Sequence, residues 1–153
     1  MEEPVLPQNI IMKRTTEERY PIIASVILTG IFIVVKQFFS ICPVLNESIL
    51  STSITVASIF IGFNAVYRNT LQTKVGKAIQ AVKNTSYMEL YHGYLKAVTN
   101  SALRFILVSF IILFLPDKQL NHCVTFYIWF FFASNMLLCF HRANSIDSIL
   151  FES

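Results

Sequence analysis

The apolar residues of this chain gather into four blocks, Pro21–Phe39, Ile49–Val66, Ala97–Leu115 and Cys123–Phe140, with polar stretches between them. A hydrocarbon layer about 30 Å thick takes roughly 20 helical residues to cross, and each block reaches or nearly reaches that length. The layer offers no water to satisfy a backbone, so segments that cross it are helices; a barrel would show alternation, which the blocks lack. The pattern predicts an all-α fold, an integral membrane four-helix bundle. Block one follows Lys13 and Arg14 as the core of a signal peptide would, yet no small-x-small cleavage site comes after it. It is read as a retained helix.

Between blocks two and three the helical period continues. Leu71, Val75, Ala78 and Val82 recur at helical spacing, with Lys74, Lys77 and Lys83 among them, until Asn84-Thr85-Ser86 interrupts the run. Ser86 and Glu89 have capping-box spacing, which predicts a helix start near Tyr87. The second helix is expected to reach about Lys83, roughly 50 Å from Ile49 at 1.5 Å per residue. The expected transmembrane domain is 21–140, with a cytoplasmically extended hairpin, 68–96, between helices 2 and 3. Residues 1–20 and 141–153 are expected tails, the first extended around Pro4 and Pro7, with Pro21 in the opening turn of helix one. Short outer connections predict that the helices they join are antiparallel neighbours.

Composition agrees with a membrane chain: of 153 residues 54% are hydrophobic and 14% charged, against roughly 25% charged in soluble domains. The charges then orient it. Lys13, Arg14 and Arg19 precede block one, and Arg68, Lys74, Lys77, Lys83 and Lys96 lie in the middle connection. The stretch 40–48 has no Lys or Arg, and 116–122 has only Lys118. Cytoplasmic loops carry the positive excess, so both termini and the hairpin are expected in the cytoplasm. The net charge of +3 then faces anionic lipid and gives no reason to expect direct nucleic-acid binding.

Polar groups inside the blocks are where function is expected, because they are costly there. Ser51, Thr55, Ser58, Gly62 and Ala65 form a small or polar seam on helix two. Such a seam serves close packing within the bundle, a contact between subunits, or a pore lining. Asn64 lies on a different face, and equal counting from the turn near Thr85 sets it opposite Arg104, whose guanidinium it could accept from. Lys96, Asn100 and Arg104 make a polar line leading into the membrane. Side chains tilt toward a helix N-terminus, which carries Arg104 toward inner-leaflet phosphates. Lys36, near the outer end of its helix, is tilted the other way and needs to bend back or find a partner, with Glu47 the nearest acid. Lipid or structural roles are expected of both cations ahead of ion conduction.

Chemistry is scarcely represented. No Asp or Glu lies in the four blocks, and His92, His122 and His141 are isolated, without i, i+4 metal spacing. HExxH, CxxC, P-loop and Rossmann patterns are absent, so neither enzyme activity nor a metal or cofactor is expected. Cys42 and Cys123 both fall on the outer side, where an oxidising exterior permits a bridge, although cysteine also serves as an apolar core residue. Tyr87, Tyr91 and Tyr94 make an aromatic stripe on the hairpin, readable as an interfacial belt, as hairpin core or as a docking face.

By its size, its helix count and the basic hairpin from Arg68 to Lys96, the whole chain resembles small four-helix membrane subunits of bacterial anti-phage defence systems, the Kiwa system among them. The resemblance implies an inner-membrane sensor or anchor for a cytosolic effector partner. The residues on their own suggest a homo-oligomer in contact with membrane lipid, with Lys74, Lys77 and Lys83 beside the tyrosine stripe as the partner-binding candidates. An oligomeric channel or membrane-perturbing effector is the alternative, since four helices enclose little volume and a path would run between subunits. A small multidrug transporter would need a membrane carboxylate in helix one, which is missing.

Overall fold

A computed structural model describes residues 8–39, 44–73, 86–115 and 122–151. It contains four helices: α1 (Gln8–Phe39), α2 (Glu47–Thr73), α3 (Ser86–Phe114) and α4 (His122–Phe151). Each includes an apolar stretch long enough to cross a membrane, from the 18 residues Arg19–Lys36 to the 24 residues His122–Ser145. No strand occurs among the described residues. This is the all-α architecture expected from the apolar blocks, with four helices long and apolar enough to span a membrane.

Several boundaries differ from that expectation. Helix α1 starts at Gln8, so Pro21 sits in its interior and not in its first turn. Proline removes one backbone donor; nearby Ser25 Oγ donates to the Pro21 carbonyl at 2.6 Å, and Thr29 Oγ1 to the Ser25 carbonyl at 2.8 Å. Helix α4 continues to Phe151, so most of the expected C-terminal tail is helical; no Gly or Pro interrupts it after Phe140. Helix α3 begins at Ser86, one residue ahead of the expected start. The proposed continuation of α2 over 74–85 lies outside the described residues.

The start of α2 is fixed by a cap. Asn46 Oδ1 accepts from the Ile49 amide at 2.8 Å, and its carbonyl accepts from the Leu50 amide at 3.1 Å. Glu47 in the first turn adds a charge favourable to the helix dipole.

The helices pack in the order α2, α3, α4, α1. Helix α3 lies between α2 and α4, and α1 rests on the far side of α4. A short connection therefore does not make α1 and α2 neighbours, contrary to the loop-length argument. The reason is aromatic: the Phe32 ring lies 5.2 Å from that of Phe126, 5.1 Å from Phe130 and 6.4 Å from Tyr127.

Packing density is concentrated where small residues let backbones approach. Ala57 on α2 and Ala102 on α3 are both 0% exposed and share a cluster with Phe105 and Met136. Phe60 of α2 stacks on Phe140 of α4, with ring centroids 4.2 Å apart, and this closes the three-helix core. An Ala57→Leu substitution should overfill this contact and cost about 1–3 kcal/mol, whereas exposed Ile59→Leu should be silent. Thermal unfolding of the two variants in detergent checks this; equal midpoints would contradict the placement of Ala57.

Candidate functional site

The polar side chains collect at the end of the bundle where α2 finishes and α3 starts, here termed the hairpin end. Asn64 is 5% exposed. Its Nδ2 donates to the Leu95 carbonyl at 2.7 Å and to Thr99 Oγ1 at 2.6 Å. Thr99 Oγ1 in turn donates to the same Leu95 carbonyl at 3.1 Å. One amide thus closes a three-member network across the α2–α3 contact, and it is what sets the register between the helices.

A second fastening joins α3 to α4. The Arg142 guanidinium carbon stands 4.1 Å from the centre of the Tyr94 ring, and Nη2 donates to the Tyr94 hydroxyl at 2.7 Å. Cation–π attraction and a charge-assisted hydrogen bond act together on one buried tyrosine. Below it Val98, Cys139 and Ala143 form a small apolar cluster. The hairpin end is therefore tied twice, α2 to α3 by Asn64 and α3 to α4 by Arg142.

The opposite end is looser. A cavity of about 870 Å³ opens there between α2, α3 and α4, with Asn46, Glu47, Leu50, His122 and Thr125 in its wall. Cys123 beside it is disulfide-bonded, and Cys139 is a free, buried thiol. Cys42 lies outside the described residues.

Several candidates from the sequence are placed differently. Asn64 does not meet Arg104: its partners on α3 lie five to nine residues nearer the helix start. The equal-counting argument failed because the two arms of the hairpin are not symmetric about Thr85. Arg104 is exposed, as are Asn100 and Lys96, so the polar line exists but runs along the molecular surface. Lys36 takes an aromatic partner in place of Glu47, with Nζ 5.4 Å from the Tyr127 ring centre. Tyr94 is 8% exposed and turned inward, so it is not part of an open docking stripe. The side chains of Tyr87 and Tyr91, together with Lys74, Lys77 and Lys83, lie outside the description.

The seam of Ser51, Thr55, Ser58, Gly62 and Ala65 is exposed along its whole length. Packing within the chain uses Leu50, Ala57 and Asn64 instead, one third of a turn away. A Cβ built at Gly62 meets nothing within 4 Å. Of the readings open at the start, close packing inside the bundle is excluded for this row.

Buried Ser101, Ser109, Ser134 and Asn135 were not singled out from the sequence. Only their position relative to Asn64 and Phe105 on the helical wheel would have marked them. Ser109 Oγ, Asn135 Oδ1, Asn64 Oδ1 and Trp129 Nε1 are buried without a hydrogen-bond partner among the described residues. No group of His, Cys, Asp and Glu able to hold a metal occurs among the described residues. What the arrangement can do is hold helices together and present polar surface. No protein-family model, curated protein or solved structure matches the chain.

If Asn64 sets the α2–α3 contact, Asn64→Leu should lower stability by about 1 kcal/mol, the usual worth of a polar contact between membrane helices. Asn100→Leu, which changes an exposed amide on the same helix pair, should not. Unfolding midpoints in detergent decide it, and an equal loss in both variants would contradict the network.

Proposed function

We propose that the chain is a non-enzymatic membrane subunit that acts as an oligomer and holds a cytosolic partner protein at the bilayer. In this reading both termini and the 74–85 connection are cytoplasmic. The partner meets the basic hairpin, with Lys74, Lys77 and Lys83 as its contacts. The observation that carries the reading is the double fastening at the hairpin end, where Asn64 and Arg142 tie α2, α3 and α4 together. An anchor needs a rigid base for the segment it presents, and a sensor needs that base coupled to the membrane helices. The loose, cavity-bearing end faces away from the partner.

Two further observations favour the orientation. Positive charge concentrates on one side of the apolar stretches. The disulfide at Cys123 sits at the other side, and disulfides persist in oxidising compartments outside the cytoplasm. The resemblance to anti-phage defence subunits points the same way, toward a bacterial inner membrane and a soluble effector. The second reading, a conducting path between subunits, is favoured by the exposed hydroxyl row on α2 and by Arg104.

Replacing Lys74, Lys77 and Lys83 together by Glu should abolish recovery of the partner from detergent extracts while insertion is unchanged. Like charges across an interface cost several kcal/mol. Labelling fixes the orientation: Lys77→Cys should react only from the cytoplasmic side, and Ser48→Cys only from outside. Reversed labelling would end the proposal. Stable unitary currents from the purified chain, with partner recovery unaffected by the triple substitution, would replace it by the channel.

A further inference from the structure

Charge gathers on one side of the α3–α4 pair, the side turned away from α2. Around α3, Leu95 marks the α2 contact and Tyr94 the α4 contact. At 100° per residue Arg104 lies about 180° from Leu95 and about 80° from Tyr94. Asn100 and Lys96 stay within about 80° of Arg104 on the way to the helix start, and all three are exposed. Around α4, Phe140 marks the α2 contact and Cys139, packed on Val98, the α3 contact. Arg142 lies about 160° from Phe140 and about 60° from Cys139. The two arginines therefore flank the α3–α4 contact from the same side.

A second observation agrees with that count. The charges of Arg142 and Arg104 both reach the Cys139 thiol, Arg142 the more strongly. Cys139 also hydrogen-bonds with Ser101, which puts those two residues at one depth. Arg104 stands three residues beyond Ser101 and Arg142 three residues beyond Cys139, in opposite directions. Their Cα atoms are thus about 9 Å apart in depth. Side chains tilt toward their own helix start, which carries the Arg104 guanidinium back toward the hairpin end and shortens that gap.

Arg142 is held by Tyr94, but among the described residues no hydrogen bond or ion pair engages Arg104. It stands twelve residues past His92, inside the apolar stretch His92–Phe114. Neither that stretch nor His122–Ser145 contains an Asp or Glu. A guanidinium in hydrocarbon, beside a second one and with no carboxylate on either helix, calls for an anion from outside the chain. Its five donors form a planar fork that matches the oxygens of a phosphate.

The surroundings decide where that phosphate comes from. Beyond Arg104 the same face of α3 continues with Leu107 and Ile111, both exposed. A free anion has nothing to gain there, whereas a lipid can lay an acyl chain on them with its head at the cations. We infer that this face of α3, at its border with α4, holds the phosphate headgroup of an anionic lipid. Arg104 donates to the phosphate oxygens, Asn100 and Lys96 line the approach, and Arg142 is the second positive charge beside it. The long arginine side chain and local thinning of the bilayer bring head and cation together. In the orientation proposed above the site opens to the cytoplasmic leaflet, which carries negative lipid. The contact itself depends neither on that orientation nor on a partner protein.

The test titrates the full chain, in neutral detergent, with phosphatidylglycerol and with phosphatidylcholine, and counts bound lipid by native mass spectrometry. The wild type should bind phosphatidylglycerol about tenfold more tightly, the order expected of one charge-assisted pair. Arg104→Gln should remove that preference. Arg104→Lys should reduce it, since an ammonium lacks the planar fork, and Lys36→Gln near the opposite end should leave it intact. Thermal unfolding gives a second signal: phosphatidylglycerol should raise the midpoint of the wild type and not that of Arg104→Gln. Asn100→Leu, a change at an exposed site, should weaken the preference and stands in if Arg104→Gln unfolds. Inorganic phosphate at the same concentrations should shift nothing. Equal binding of the two lipids by the wild type, or a preference that survives Arg104→Gln, overturns the inference. So does a preference lost equally in Lys36→Gln, or a shift with inorganic phosphate that matches the lipid's.

Discussion

The rotation of α2 about its own axis is the constraint on which the rest of the structure depends, and one side chain sets it. In an apolar medium two helices gain little by turning one hydrophobic face rather than another toward each other. A buried amide changes that, because leaving it unpaired in hydrocarbon is costly. Asn64 finds its partners at Leu95 and Thr99. Once it does, Leu50 and Ala57, seven residues apart along the same line, must also face α3. The serine and threonine row is turned out by the same rotation.

That dependence explains which parts of the fold were legible in the sequence. Block lengths define the number of helices because the hydrocarbon thickness is external to the protein. Charge placement gives an expectation for sidedness for the same reason. Relative rotation and register are internal, and apolar periodicity says little about them when every face is apolar. Asn64 was recognisable as a contact residue, but Thr99 looks like any other membrane threonine, and Arg104 was the more conspicuous partner. The neighbour of α1 was illegible because Phe32 finds its ring partners about 100 residues away on α4. Tyr94 shows a similar limit: its i, i+4, i+7 spacing with Tyr87 and Tyr91 suggested a shared face, and only the position of Arg142 reveals that it turns inward.

The most direct measurement is a single-cysteine scan along α2, from 55 to 62, in lipid nanodiscs and in a Cys139→Ala background, with spin labels reporting side-chain mobility. With Asn64 setting the rotation, labels at 55, 58 and 62 should be mobile. A label at 57, which the chain's own α3 covers, should be immobilised. A mobile label at 57, or uniform mobility along the helix, would contradict the rotation of α2.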